Sequence, residues 1–316
     1  MDISGSRPSP GRQTGTGVAR FRDTLNGLFR GYMQQQKTLK QEVVFEGIGV
    51  HSGQLARVVL KPAAQDFGIV FTNTAFPDAV FKIGSVIPEV AMQATVLKNS
   101  IWALSTTEHL LAAIVATGLD NVLIEVSGFE IPIMDGSAAP FVQGFLDCGF
   151  QLQNAVKKYI TPKEKLRFED KAGRFIEIYP AQDKSTDLHI SYTADFANKL
   201  VGNSQFECLL TPEFFAQNIA PARTFGFLEQ LPQMRKLGIA KGTSLGNTVV
   251  LSNEGFLNET RFEDECVRHK VLDLIGDLSL LGLSLAGKVI AAKTGHSFNR
   301  EVVVHYISNP DQWRVI

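Results

Sequence analysis

From Thr38 onward, apolar and polar residues alternate with a period of two in TLKQEVVFEGIGVHSG and then in ARVVLKPAAQDFGIVFTN, the pattern of half-buried strands. The same plan returns in RFIEIYPAQDKSTDLHISYT (Arg174 to Thr193): an alternating strand, Pro-Ala, Gln-Asp, and a further strand. Helical periods repeat too. EHLLAAIVATGLDNVLIEV (Glu108 to Val126) and RHKVLDLIGDLSLLGLSLAGKVIAA (Arg268 to Ala292) each run from a helix with an early histidine through Gly-Leu into an apolar strand. The pattern predicts an α+β protein made of two copies of one unit, each a two-layer sandwich of sheet and helices. At 316 residues the chain is also long enough to divide into two cores.

The copies differ in spacing. Pro62 and Pro180 stand 118 positions apart, but His109 and His269 stand 160 apart, so the second copy holds about 42 extra residues before its helix. The surplus falls around Ala222 to Ser252 and reads strand, helix, Gly-rich turn, strand. An insertion of that length in a compact unit is more often functional than decorative. The expected organisation is an extension over 1–36, a first unit over 37–155, and a second over 156–316 with an insertion at about 225–250. The linker is expected near Gln151 to Lys158.

Charge changes the picture only at the start of the chain. The formal total is −1, yet residues 1–40 hold seven Lys/Arg against two Asp/Glu, leaving 24 against 30 in the remainder. A basic extension therefore precedes an acidic body, which gives no whole-protein attraction to nucleic acid. Residues 1–16 are rich in Gly, Ser, Pro and Thr and read as disordered, whereas Val18 to Met33 carries apolar residues at steps of three and four among Arg20, Arg22 and Arg30. Three readings of that helix stay open: docking on its own protein, contact of residues 18–33 with a membrane surface, or an organelle transit peptide, which Asp2 and Asp23 disfavour. No apolar run reaches the ~20 residues of a spanning helix. Three scattered cysteines without CxxC fit a reducing compartment, so a cytoplasmic location is expected.

Three segments can carry chemistry. ECVRHKVLDLIGDL sets His269, Asp273 and Asp277 at i, i+4 and i+8, one stripe of an otherwise apolar helix, where imidazole and carboxylate can share a metal. A solvated polar edge is the bland alternative. STTEHLLAAIVATG opens an apolar helix with Glu108 and His109; Ser105 to Glu108 also fits a capping box. If the duplication sets His109 and His269 at equivalent places around a pseudo-twofold axis, two His and one Asp make a three-ligand zinc site, with Glu108 beside it as general base. KTGHSFN offers His296 on a Gly turn after the second copy's buried strand, with Asp277 as the carboxylate to hold it protonated. The Asp135-Gly136-Ser137 segment reads as a helix cap, and His51, His189 and His305 as ordinary. There is no GxxxxGK[ST], GxGxxG or GxSxG, so nucleotide-hydrolysing, dinucleotide-binding and serine-hydrolase routes lack support.

Together STTEHLLAA, EIPIMDGSAAPFV, ARTFGF, RFEDECVRHKVLDLIGDL and KTGHSFN resemble the bacterial zinc-dependent UDP-3-O-acyl-N-acetylglucosamine deacetylases, in the family's order, from about Thr38 almost to the C-terminus. The resemblance implies two α+β sandwiches with zinc between them, and hydrolysis of an N-acetyl group as the committed step of lipid A synthesis. It implies His109, His269 and Asp273 as zinc ligands, Glu108 as base, His296 as cationic acid and Asp277 as its orienting partner. It further implies that Thr224 holds the oxyanion, that Lys270 meets the sugar or phosphate, and that Phe196 and Phe225 contact the UDP-linked acylated substrate. Leu228, Leu231, Met234, Leu237 and Ile239 would line a passage for the acyl chain. The expected enzyme is a cytoplasmic monomer, with membrane contact through residues 18–33 at most. The long extension has no counterpart in the family pattern. A non-enzymatic binding module, or the same chemistry on another N-acyl sugar, are the competing readings.

Overall fold

A computed structural model describes residues 35–91, 93–183, 185–196, 198 and 201–316. The basic segment from Val18 to Met33 lies outside the described residues. The alternating segments form two five-stranded sheets. The first contains β1 (Val43–Ile48), β2 (Leu55–Pro62), β3 (Ile69–Asn73), β4 (Phe76–Lys82) and β5 (Val122–Ser127), in spatial order β1-β2-β5-β3-β4. The second contains β6 (Leu166–Glu169), β7 (Phe175–Tyr179), β8 (Leu188–Asp195), β9 (Asn203–Leu209) and β10 (Gly287–Ala292), in order β6-β7-β10-β8-β9. Strand for strand the order is the same. In each sheet one neighbouring pair is parallel, β3 with β5 and β8 with β10, and the other pairs are antiparallel. A parallel pair needs a long crossover, and that crossover holds the helix carrying the early histidine.

Six helices complete the described fold: α1 (Glu108–Thr117), α2 (Ala139–Cys148), α3 (Pro212–Asn218), α4 (Leu231–Lys236), α5 (Glu265–Leu278) and α6 (His296–Ser308). The helices of the two units meet in the middle: α1 packs along α5, α2 against β1, and α5 against β8 and β9. This explains why α1 is buried along almost its whole length, since α5 packs along one side and α2 and α3 also pack against it. One contiguous core runs through both units, from Phe71 and Leu110 to Leu272 and Val302.

Both units are interrupted at the same topological place, between the fourth strand and the long helix. In the second, α3 is followed by the insertion read from the spacing: strand Phe225–Phe227, a 3-10 turn, α4, a glycine-rich turn, and strand Val249–Leu251 parallel to the first. In the first, a small antiparallel meander intervenes, Glu89–Ala91, Ala94–Lys98 and Ala103–Ser105, which the subtraction of spacings could not reveal. The segment expected as linker is mostly strand. Phe150–Val156 pairs with Gln35–Leu39, and the next strand begins at Tyr159, leaving only two residues between.

One close approach of the two units involves Gly276, in the last turn of α5. A Cβ there would stand 2.1 Å from the carbonyl oxygen of Glu108 at the start of α1. In an isolated helix Gly→Ala stabilises by about 1 kcal/mol. Here the sign reverses: Gly276→Ala must push α1 away from α5 at a cost of roughly 1–3 kcal/mol, the range for overpacked cores. Thermal unfolding should show a lowered Tm, and an unchanged or raised Tm would refute the close approach.

Candidate metal centre

The contact at Gly276 brings the first turn of α1 beside the C-terminal half of α5. His109 lies edge-on to His269 with ring centroids 4.9 Å apart, and the Nε2 atoms of His109 and His269 face one oxygen of Asp273 at 3.8 and 3.4 Å. All three residues are buried, and their ligand atoms lie within 4.8 Å of one another. Tetrahedral zinc with ligand bonds of about 2.0–2.1 Å separates its donor atoms by about 3.4 Å. The donor set therefore fits a divalent ion without rearrangement of the helices. His109 stands nine positions before Gly118, and Asp273 likewise nine before Gly282, the left-handed glycines that close the two helical segments. By that register the counterpart of His109 is Asp273, and His269 sits one turn earlier, which corrects the expected equivalence of the two histidines.

The surroundings hold these groups in place. The ring of His269 is oriented through Nδ1, which donates to the Ala222 carbonyl at 3.0 Å, leaving Nε2 free to face Asp273. Ala222 is pinned in turn by its neighbour: Arg223 reaches Glu265 through its backbone N–H and its guanidinium, all of it buried. The second oxygen of Asp273 accepts from Lys270 at 2.5 Å. His109 has a different status, because its Nδ1 is buried with no hydrogen-bond partner among the described residues.

Glu108 and His296 stand on the same side of the cluster. His296 Nε2 is 3.9 Å from both Glu108 Oε1 and Asp273 Oδ2, and its Nδ1 is 2.8 Å from Asp277. The capping-box alternative for Glu108 does not hold: Thr107 at the cap makes no side-chain cap bond, and the carboxylate accepts instead from the Thr95 N–H at 3.3 Å. Nor is His296 a loop residue. It is the first residue of α6, directly after Gly295. Burial raises the Glu108 carboxyl to about 8, with Asp277 and Asp273 adding to the rise against the opposing effect of His296. Burial alone would lower His296, but Asp277, Glu108 and Asp273 outweigh it and raise the imidazole to about 10. Burial and the neighbouring His269 push His109 down to about 3, so its imidazole is neutral, as a metal ligand must be. Asp273 lies well below the carboxylate range: burial opposes this, but Lys270 and the histidines prevail.

The cluster lies in the wall of a cleft of about 520 Å³ between the units. Thr224 and Phe225 line it, and Thr224 is fixed on both sides, its N–H on the Gly136 carbonyl and its carbonyl on the Val249 N–H. Phe196 is stacked edge-on to Phe225 at 5.3 Å, and the Lys270 ammonium lies 5.9 Å from the Phe225 ring. Of the five apolar residues expected to line a passage, Leu228, Leu231 and Met234 do so. Leu237 is 68% exposed and Ile239 is packed in the interior, because α4 ends at Lys236 and Gly238 turns the chain with φ of +79°. The Asp135 segment leads into α2, with the Ser137 hydroxyl accepting from the N–H of Ala139, the first residue of that helix, at 3.2 Å. Asp135 bonds Ser137 and is paired to Arg261 at 2.8 Å, a clip between the units.

Two residues were missed. His51 also lines the cleft, its turn held by the buried Glu130, which accepts from the N–H groups of His51 and Ser52. The Gly-Val-His-Ser-Gly turn was the only hint of it. Glu130 also accepts from the hydroxyl of Thr106, a β-branched residue held at φ of +60°, an uncommon strained conformation two residues before Glu108. Thr95 sits against Glu108, Asp277 and His296, and no motif in its surroundings marked it.

A family model described as UDP-3-O-acyl N-acetylglycosamine deacetylase matches residues 36–307. Among curated proteins, the UDP-3-O-acyl-N-acetylglucosamine deacetylase of Pasteurella multocida (strain Pm70) is 38% identical over 290 residues, covering 90% of this chain and 93% of its own. That of Mannheimia succiniciproducens is 39% identical with the same coverage, and that of Syntrophotalea carbinolica is 39% identical over 292 residues, covering 90% and 91%. The donor geometry predicts one tightly held divalent ion per chain. Metal analysis after gel filtration should find that ion in the native protein and lose it in His269→Ala and Asp273→Ala; full retention by both variants would place the metal elsewhere.

Proposed function

The chain belongs to the UDP-3-O-acyl N-acetylglycosamine deacetylase family, and from that premise we propose that it hydrolyses the N-acetyl group of UDP-3-O-acyl-N-acetylglucosamine. The products are acetate and the UDP-linked 3-O-acyl glucosamine, and the reaction would commit the sugar to lipid A. One observation carries the reading: a buried carboxylate raised to about 8 and a buried imidazole raised to about 10 flank a His-His-Asp donor set at the wall of an apolar cleft. Two such groups with separated proton affinities are the pair that base and acid catalysis of amide hydrolysis requires.

Zinc, held by His109, His269 and Asp273, would supply Lewis-acid polarisation of the amide carbonyl and lower the pKa of a water molecule. Glu108 takes the proton from the attacking water as the new C–O bond forms. The Thr224 hydroxyl and the Nε2–H of His296 donate to the oxyanion, and His296 gives its proton to nitrogen as the C–N bond breaks. Asp277, on Nδ1 of His296, keeps that ring cationic and aimed. Phe196 and Phe225 offer ring faces to the nucleotide and sugar, and Lys270 offers positive charge near them. Leu228, Leu231 and Met234 support a passage for the 3-O-acyl chain, which a binding scaffold or a deacetylase of short N-acyl sugars would not need. A cytoplasmic enzyme fits this substrate.

The decisive assay is deacetylation of the UDP-linked substrate with and without chelator. Chelation should abolish turnover and added zinc restore it, and Glu108→Ala should lower kcat by at least ~100-fold, as removal of a general base does; unreduced turnover in that variant defeats the mechanism. kcat/KM should trace a bell. It rises with pH as Glu108 ionises, with a midpoint at or below about 8 because a bound dication favours the carboxylate, and falls as His296 loses its proton toward about 10. His296→Ala should remove the descending limb. Filling the passage with Met234→Trp should shorten the preferred acyl chain while sparing short-chain substrates; an unaltered chain-length profile would favour another N-acyl sugar.

A further inference from the structure

Asp277 accepts three hydrogen bonds, and their origins differ. Its Oδ2 takes the Nδ1 side of His296 at 2.8 Å and the Asn299 amide at 2.7 Å, both from α6 of its own unit. Its Oδ1 takes the hydroxyl of Thr95 at 2.5 Å, and Thr95 comes from the first unit, on the strand Ala94–Lys98 of the small meander. The backbone N–H of Thr95 donates to Glu108 Oε2 at 3.3 Å, and its hydroxyl oxygen lies 3.4 Å from His296 Nδ1. Thr95, Asp277 and Asn299 are all buried, so water does not substitute for a lost partner there. One residue thus touches the base through its backbone N–H and the acid and the acid's orienting carboxylate through its hydroxyl.

We propose that Thr95 is a positioning residue that sets the acid and base of this reaction in mutual register across the two units. The inference rests on the proposed deacetylation and deepens it. A threonine hydroxyl has one proton, and a carboxylate can only accept, so that proton goes to Asp277 Oδ1. The carboxylate plane is then fixed by Thr95 on one oxygen and by Asn299 and His296 on the other. With Nδ1 bound to Asp277, the Nε2–H of His296 is aimed into the cleft between Glu108 and Asp273. The backbone N–H of the same residue simultaneously holds Glu108, so a shift of the meander relative to α5 would displace base and acid together.

The experiment compares Thr95→Val, which keeps the shape and the backbone N–H but removes the hydroxyl, with Thr95→Ser, which restores the hydroxyl. Thr95→Val should lower kcat about 10- to 100-fold, the effect of losing one hydrogen bond to a buried charged group, with KM and metal content unchanged. Thr95→Ser should recover kcat to within about threefold of wild type. Proton NMR of the metal-free protein adds a readout independent of turnover: the downfield Nδ1–H resonance of His296 should persist in wild type and Thr95→Ser and broaden or vanish in Thr95→Val. A full-rate Thr95→Val enzyme overturns the proposal, as does a Thr95→Ser enzyme as slow as Thr95→Val, or a kcat loss accompanied by loss of metal. If Thr95→Val does not fold, the serine variant and its resonance decide alone. Failure of the deacetylation reading would appear separately, as a wild type inactive on the UDP-linked substrate with its His296 resonance intact.

Discussion

Everything at the site depends on two helices from different units being able to touch. Gly276 removes the side chain that would otherwise separate them, so the Glu108 carbonyl rests where a Cβ would be. Close-packed interiors leave no slack for an alternative arrangement. The consequence is that His109 and Glu108, from one unit, stand within a few ångströms of His269, Asp273 and His296, from the other. Neither sheet alone carries a complete set of donors or a complete acid-base pair.

Burying that many ionisable groups is costly unless their charges are matched. Three carboxylates, Glu108, Asp273 and Asp277, face the Lys270 ammonium and the His296 imidazole. The mutual field keeps Asp273 ionised and His296 cationic while leaving Glu108 hard to ionise and His109 neutral. A dication between His109, His269 and Asp273 would supply the positive charge that eases the burden on Glu108. Around this centre, rigid supports come from both insertions: the meander contributes Thr95, and the 225–251 segment contributes the apolar wall with Leu228, Leu231 and Met234.

Much of this was legible along the chain. Period-two alternation and the recurrence of Pro-Ala and Gly-Leu revealed two α+β units, because strand and helix periods are local properties of sequence. His269, Asp273 and Asp277 shared a stripe by helical geometry alone, and the five motifs in order pointed to the family. Less visible were residues whose importance comes from contact over long sequence distances. Thr95 is 182 positions from Asp277, and His51 is 79 from Glu130. The expected equivalence of His109 and His269 failed for a related reason: α5 begins about two turns farther in front of the matching register than α1 does, and a repeat aligned by its histidines cannot reveal that offset.

What the sequence by itself determined was the identity of the elements, the duplication and the residue types able to bind metal and move protons, since periodicity and chemistry are carried by neighbours in the chain. What only the tertiary structure decided was their convergence. Which nitrogen of each histidine faces Asp273, which helix His296 opens, and which hydroxyl holds Asp277 all follow from the packing of α1 on α5 at Gly276. That packing joins segments more than 150 residues apart, through distances of a few ångströms that no local pattern encodes.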